Sequence, residues 1–210
     1  VFRFIDRIVD KSLDPQSPPN QYRQYKFGID LGRHSDYTAT IGIDRSTWYA
    51  SYVDRYQGAD YSLHETRIEA VMRRYSGHSG QAEANCDATG VGDPIVTALQ
   101  QRGLDVKPFV FTTKTKRELV ENLVVLIEQQ KIRIPKHEQL IRELKNYAYE
   151  VSPKGHVTYS APSGENDDLV MALALSCWQL GDKIDESNEQ HDLKRLLGES
   201  PSNKDPYEMI

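Results

Sequence analysis

One acid in an otherwise apolar strand constrains this chain more than any other feature. Asp30 stands in Phe27-Gly28-Ile29-Asp30-Leu31-Gly32, a run built otherwise from apolar residues and glycine. Side chains alternate faces along a strand, so Phe27, Ile29 and Leu31 share one face and Gly28, Asp30 and Gly32 the other. Glycine weakens a strand, and a glycine on each side of an acid needs a reason. The two missing side chains leave room for a bulky cationic or phosphorylated group to reach the carboxylate. A solvated acid at a strand edge is the plainer alternative. A metal or phosphate site on a central strand explains both glycines.

The 210 residues suffice for one sizeable domain with appendages. No stretch approaches the roughly 18 apolar residues of a membrane span. Val1-Phe2-Arg3-Phe4 opens no secretory signal. No membrane partner is expected. Cys86 and Cys177 fall inside an apolar strand and an apolar helix, which predicts two buried free thiols rather than a disulfide. Neither has metal-thiolate spacing, which argues against zinc. The formal net charge is −5, unpromising for a polyanion partner until its distribution is read. From Asp182 onward eight acids face four bases, so the tail carries −4 and residues 1–181 only −1. Clustered aspartates neutralised by divalent cations would make that body basic.

Residues 11–20, Lys-Ser-Leu-Asp-Pro-Gln-Ser-Pro-Pro-Asn, form a polar, proline-rich linker. Three expected segments follow: an N-terminal extension and linker over 1–24, a main domain over 25–181, and an acidic, flexible tail over 182–210. Within the domain the periodicity predicts strands at 25–31, 37–44 and 48–56, joined by short turns as an antiparallel meander. A helix follows at 62–75, a strand at 82–87, a helix at 92–102 and a strand at 105–111. Helices at 114–130, 136–147 and 166–180 complete the pattern, with a short strand at 131–134 and a hairpin around 151–157. This is an α/β fold: a mixed central sheet, the meander followed by parallel strands, with helices on both faces.

Two further acids stand where chemistry is done. Asp87 ends Ala82-Glu83-Ala84-Asn85-Cys86-Asp87, and Ala88-Thr89-Gly90-Val91-Gly92 turns the chain into a helix. Ligands of such sheets gather beyond the carboxyl ends of strands. The turn has neither standard nucleotide-loop spacing nor a lysine for a phosphate. The third element is Glu165-Asn166-Asp167-Asp168-Leu169-Val170-Met171-Ala172. An acid before an apolar helix is ordinarily an N-cap and suits the helix dipole, but capping explains one acid, not two. Asp168, Ala172 and Leu175 share a helix face, and the small Ala172 lets that face lie close to the sheet. Three separated carboxylates, two on neighbouring strands and one on a helix laid across them, suit two hard cations such as Mg²⁺ or Mn²⁺. Two ions about 4 Å apart can activate water and hold a leaving 3′-oxygen. Without metal, the acids would raise one another's pKa.

Gly28-Ile29-Asp30-Leu31-Gly32, Cys86-Asp87-Ala88-Thr89-Gly90-Val91-Gly92 and Asn166-Asp167-Asp168-Leu169-Val170-Met171-Ala172-Leu173 together resemble the three acidic motifs of the nuclease domain of tailed-bacteriophage large terminase subunits. The resemblance spans about residues 25–181. It implies a ribonuclease H-like fold of the resolvase–integrase superfamily and a two-metal endonuclease cutting concatemeric double-stranded DNA with little sequence preference. Asp30, Asp87 and Asp168 would be catalytic, and with Asp167 they would hold the metal. The resemblance also implies a preceding ATPase motor, a portal protein and a small terminase subunit as partners, and the host cell cytoplasm as location. No Walker A sequence occurs, so the expectation is an isolated, monomeric nuclease domain. Asn166 stands where the family often has histidine.

Lys114, Lys116 and Arg117 open the long helix, where cations oppose the dipole; a phosphate partner would explain them. With Lys154 in the hairpin they are the candidate DNA contacts. His34 follows Asp30 in a turn and stays open between a solvated residue and a helper near the metals. Tyr147 and Tyr149 read as core. Gly-Ile-Asp-Leu-Gly also opens actin-like ATPases and sugar kinases, but those need a second lobe. A resolvase or transposase of the same fold remains an alternative, as does a metal-free DNA-docking module.

Overall fold

In the computed structural model, which describes residues 1–32, 36–57, 60–90, 92–151 and 157–180, the chain opens with a short helix α1 (Ile5–Ile8) and a two-residue strand β1 (Val9–Asp10). Three longer strands follow, β2 (Tyr25–Asp30), β3 (Tyr37–Asp44) and β4 (Tyr49–Gln57). Then come helix α2 (Tyr61–Tyr75), strand β5 (Glu83–Asp87), helix α3 (Gly92–Gln101) and strand β6 (Asp105–Phe109). Helix α4 (Thr113–Glu128), strand β7 (Ile134–Pro135), helix α5 (Glu138–Asn146), the hairpin strands β8 (Ala148–Val151) and β9 (Val157–Ser160), and helix α6 (Asp168–Cys177) complete the order.

Five strands form the central sheet in the order β4-β3-β2-β5-β6. β2 runs antiparallel to β3 and parallel to β5, and β6 is parallel to β5. The sheet is therefore a three-stranded meander extended by two parallel strands. Residue parity explains how its faces are covered. Tyr25, Phe27 and Ile29 of β2 join Ala84 and Cys86 of β5 in a core with Ile68 and Met72 of α2 and Ile95 and Leu99 of α3. On the other face Ala39, Ile41 and Ile43 of β3 pack with α4, α5 and α6. α6 is buried along its whole length, because sheet and helices enclose it. A helix apolar on every side requires such a position. Cys86 and Cys177 are free and buried in the two cores, as expected.

α2 starts where the Asp60 side chain accepts the Leu63 N–H at 2.9 Å, and α4 starts at a capping box formed by Thr112 and Thr115. Two features lay outside the predicted pattern. α1 and β1 are too short to show periodicity, yet Phe2, Ile5 and Ile8 are buried and β1 pairs in parallel with β7. The helix expected over 166–180 spans only 168–177; Trp178 turns extended and Gln179 takes a left-handed φ of 54°.

Candidate active site

Register brings the strand acids together. Asp30 pairs with Ala39 of β3, and Ala39 pairs with Arg55 of β4. On the other side Ile29 pairs with Cys86, so the next step sets Asp87 beside Asp30. Arg55, Ala39, Asp30 and Asp87 thus form one row across four strands. Neighbouring strands lie about 4.8 Å apart, which puts the two acids shoulder to shoulder at the carboxyl ends of β2 and β5.

The space beside Asp30 is not empty, and here the sequence reading needs correction. A Cβ on Gly28 would lie 1.9 Å from the Ala172 carbonyl oxygen and 2.3 Å from the Ser176 nitrogen. One on Gly32 would lie 2.5 Å from the Tyr37 carbonyl. The room the glycines create is filled by protein backbone, not by a ligand. Gly28 lets α6 lie directly on β2, which brings the first turn of α6 next to Asp30. The close approach has two halves, the small Ala172 on α6 and Gly28 on β2.

Asp30 opens into a cavity of about 320 Å³ lined also by Leu31, Gly32, Asp36, Glu165, Asn166, Asp167 and Asp168. Burial pushes its carboxyl well above the usual range, and the charges of Asp87, Asp168 and Asp167 push the same way, against Lys116. Asp168 is also raised by burial, opposed by hydrogen bonds from Arg55 and Asn166. Asp87 Oδ1 accepts the Thr89 N–H at 2.8 Å. Asp167 Oδ2 lies 3.2 Å from the Lys116 ammonium. Among the described residues, no three histidine, cysteine or acidic side chains are gathered closely enough to hold an ion as they stand. The donor set is nevertheless all oxygen and in excess of its counter-charge, the chemistry a hard divalent cation requires.

Asp167 occupies the N-cap position of α6 but makes no side-chain capping bond. Glu143 of α5 performs that task instead, its Oε2 accepting the Leu169 N–H at 2.9 Å. The sequence reading missed both Glu143 and Arg55. The signals were present: Glu143 falls on the apolar stripe of α5 between Leu140 and Leu144, and Arg55 has the parity of buried Val53 on β4. Asn166 donates to Asp168 Oδ2 at 3.2 Å.

The expected DNA contacts on α4 all face carboxylates. Lys114 lies 3.8 Å from Glu118, Lys116 pairs with Asp167, and Arg117 lies 2.7 Å from Glu121. Lys116 and Arg117 line a second cavity of about 510 Å³ with Phe111, Thr112, Thr113, Thr158, Tyr159 and Ser160. Lys154, His34 and the tail 182–210 lie outside the described residues. Tyr147 is core, stacked on Phe2 at 5.5 Å. Tyr149 is not: it is 59% exposed, because it alternates outward on β8.

The family model described as "Terminase RNaseH-like domain" matches residues 27–177. The terminase large subunits of Thermus phage G20c and Thermus virus P23-45 are each 31% identical over 153 residues, which cover 72% of this chain. The chain spans about a third of the length of these curated relatives, 31% in each case. Among solved structures, the large terminase nuclease from thermophilic phage G20c is similar at a TM-score of 0.70 and 28% identity, over 78% of this chain and 86% of that one. With bound magnesium the same nuclease gives 0.71 and 29%, over 78% and 85% of the two chains. With bound cobalt it gives 0.75 and 27%, over 85% and 96%. The match leaves no place for an actin-like lobe.

Proposed function

The chain belongs to the terminase RNase H-like domain family, and from that premise we propose that it is a divalent-metal-dependent endonuclease that cuts concatemeric double-stranded viral DNA during packaging. The observation that carries this reading is the crowding of acids around Asp30: Asp167 and Asp168 share its cavity, and Asp87 stands beside it on the neighbouring strand. Asp30, Asp87 and Asp168 would hold the cations, two in number and Mg²⁺ or Mn²⁺, with Asp167 assisting. When bound, the ions supply an activated water and a counter-charge for the phosphorus centre. Asp30 is the shared member, since it stands between Asp87 on its sheet side and the α6 acids above. Gly28 and Glu143 hold α6 where its acids can reach that point.

DNA would lie along the cavity mouth and the neighbouring groove beside α4, held by phosphate rather than base contacts. Lys116, Arg117, Lys114 and Lys154 are its proposed contacts, and their exchange of carboxylate partners for phosphate is part of the proposal. A preceding motor, a portal protein and a small terminase subunit as partners, and action in the host cytoplasm, belong to the same proposal and follow from membership of the terminase family. No described helix is long and apolar enough to cross a membrane. Incubation of supercoiled plasmid with Mg²⁺ or Mn²⁺ tests the reading. Nicked and linear product is expected, lost with EDTA and lost in Asp30→Asn. Cleavage that survives either change contradicts it.

A further inference from the structure

Arg55 reaches the site from the edge strand. It shares the cross-sheet row of Asp30 with only Ala39 between them, and that small residue leaves the long side chain a path to α6. There Nη2 donates to Asp168 Oδ2 at 2.9 Å, and Nε donates to the same oxygen at 3.3 Å. The guanidinium carbon lies 3.4 Å from the centroid of the Tyr37 ring, which fixes the plane of the fork. Glu143 Oε1 stands 3.8 Å from Nε and accepts from Gln139 at 2.8 Å, while its Oε2 holds the Leu169 N–H. One carboxylate therefore ties Arg55 to the first turn of α6. Asn166 adds a third donor to Asp168 Oδ2. Three donors converge on that oxygen, and among the described residues none is found on Oδ1. Both partners are largely buried, with side chains 15% and 13% exposed.

We propose that Arg55 is a positioning residue of this centre: by holding Oδ2 with a guanidinium stacked on the Tyr37 ring, it presents Asp168 Oδ1 to a divalent cation in the Asp30 cavity. The inference rests on the metal-site reading above and extends it to a residue outside the acid set. A simple counter-charge would behave differently. Removing a positive charge beside a cation site strengthens cation binding by Coulomb's law. Removing an orienting group weakens it, by about 10–100-fold for outer-shell partners of metal ligands. Lysine separates the two further, because it keeps the charge but loses the planar fork and the stacking.

The test is a Mn²⁺ titration of the chain and its variants, with free Mn²⁺ read by electron paramagnetic resonance and folding checked by circular dichroism. Arg55→Gln and Arg55→Lys should both bind Mn²⁺ at least about 10-fold more weakly than the unaltered chain. Unchanged or tighter binding in folded Arg55→Gln overturns the inference. If Arg55→Gln does not fold, Tyr37→Leu carries the test, since it removes only the stacking face. A loss in the same direction supports positioning, and unchanged affinity overturns it. Failure of the unaltered chain to bind Mn²⁺ would instead overturn the metal-site reading itself.

Discussion

Asp30 stands where its ionised form is disfavoured, first by burial and then by the neighbouring acids. Its strand neighbours give it no solvating side chain, and its spatial neighbours are acids. Unless a cation is bound, that crowding works against the fold, because a half-buried carboxylate among carboxylates is penalised whether it ionises or takes up a proton. Asn has nearly the same shape without the charge. Asp30→Asn should therefore raise the melting temperature in EDTA, by about 2–4 °C for each kcal/mol relieved. It should also lose the further rise that Mn²⁺ gives the unaltered chain. Differential scanning calorimetry with and without Mn²⁺ checks both, and a lower melting temperature in EDTA or an undiminished Mn²⁺ response would count against the assignment. At this scale the sequence pointed to the acids that the fold brings together, Asp30 because it interrupts an apolar strand and the Asp167–Asp168 pair because it precedes an apolar helix. It hid what holds them. Arg55 and Glu143 act through partners more than 100 and about 26 positions away along the chain, and such pairings appear only once the sheet register and α5 are built.

The elements were legible because periodicity is local. The alternation over 25–57 and the helical stripes of α2 and α4 come from residues within a few turns of one another. α1 and β1 were not legible, because four- and two-residue elements are defined by what they pack against. Between elements the decisive contact is α6 on β2. Gly28 is flanked by backbone, not by a flexible side-chain tip, so Gly28→Ala forces the helix and strand apart. Overpacking of this kind costs about 1–3 kcal/mol or more. It also lifts Asp167 and Asp168 away from Asp30, so the variant should melt earlier and lose its Mn²⁺-induced stabilisation. A variant that melts and responds to Mn²⁺ like its parent would show that α6 does not depend on this contact.

For the whole molecule, charge sets how DNA can be approached. Residues 1–181 carry a net −1, and the α4 cations already face carboxylates. The chain should bind duplex weakly in EDTA and more tightly with Ca²⁺, with little preference between unrelated sequences. Each phosphate contact contributes about 0.9 to the slope of log affinity against log salt. Replacing Lys116 and Arg117 with alanine should flatten that slope. Affinities for two unrelated duplexes across a salt series decide the point: strong preference for one duplex, or an unchanged slope, would exclude a backbone-held substrate. On the proposed function the carboxylates of β2, β5 and α6 gather divalent ions at one place. Anomalous diffraction from crystals grown with Mn²⁺ would locate them. Mn²⁺ is expected in the Asp30 cavity, ligated by Asp30 together with Asp87 and Asp168; ions bound only elsewhere, or a cavity whose acids ligate none, would contradict the proposed metal site.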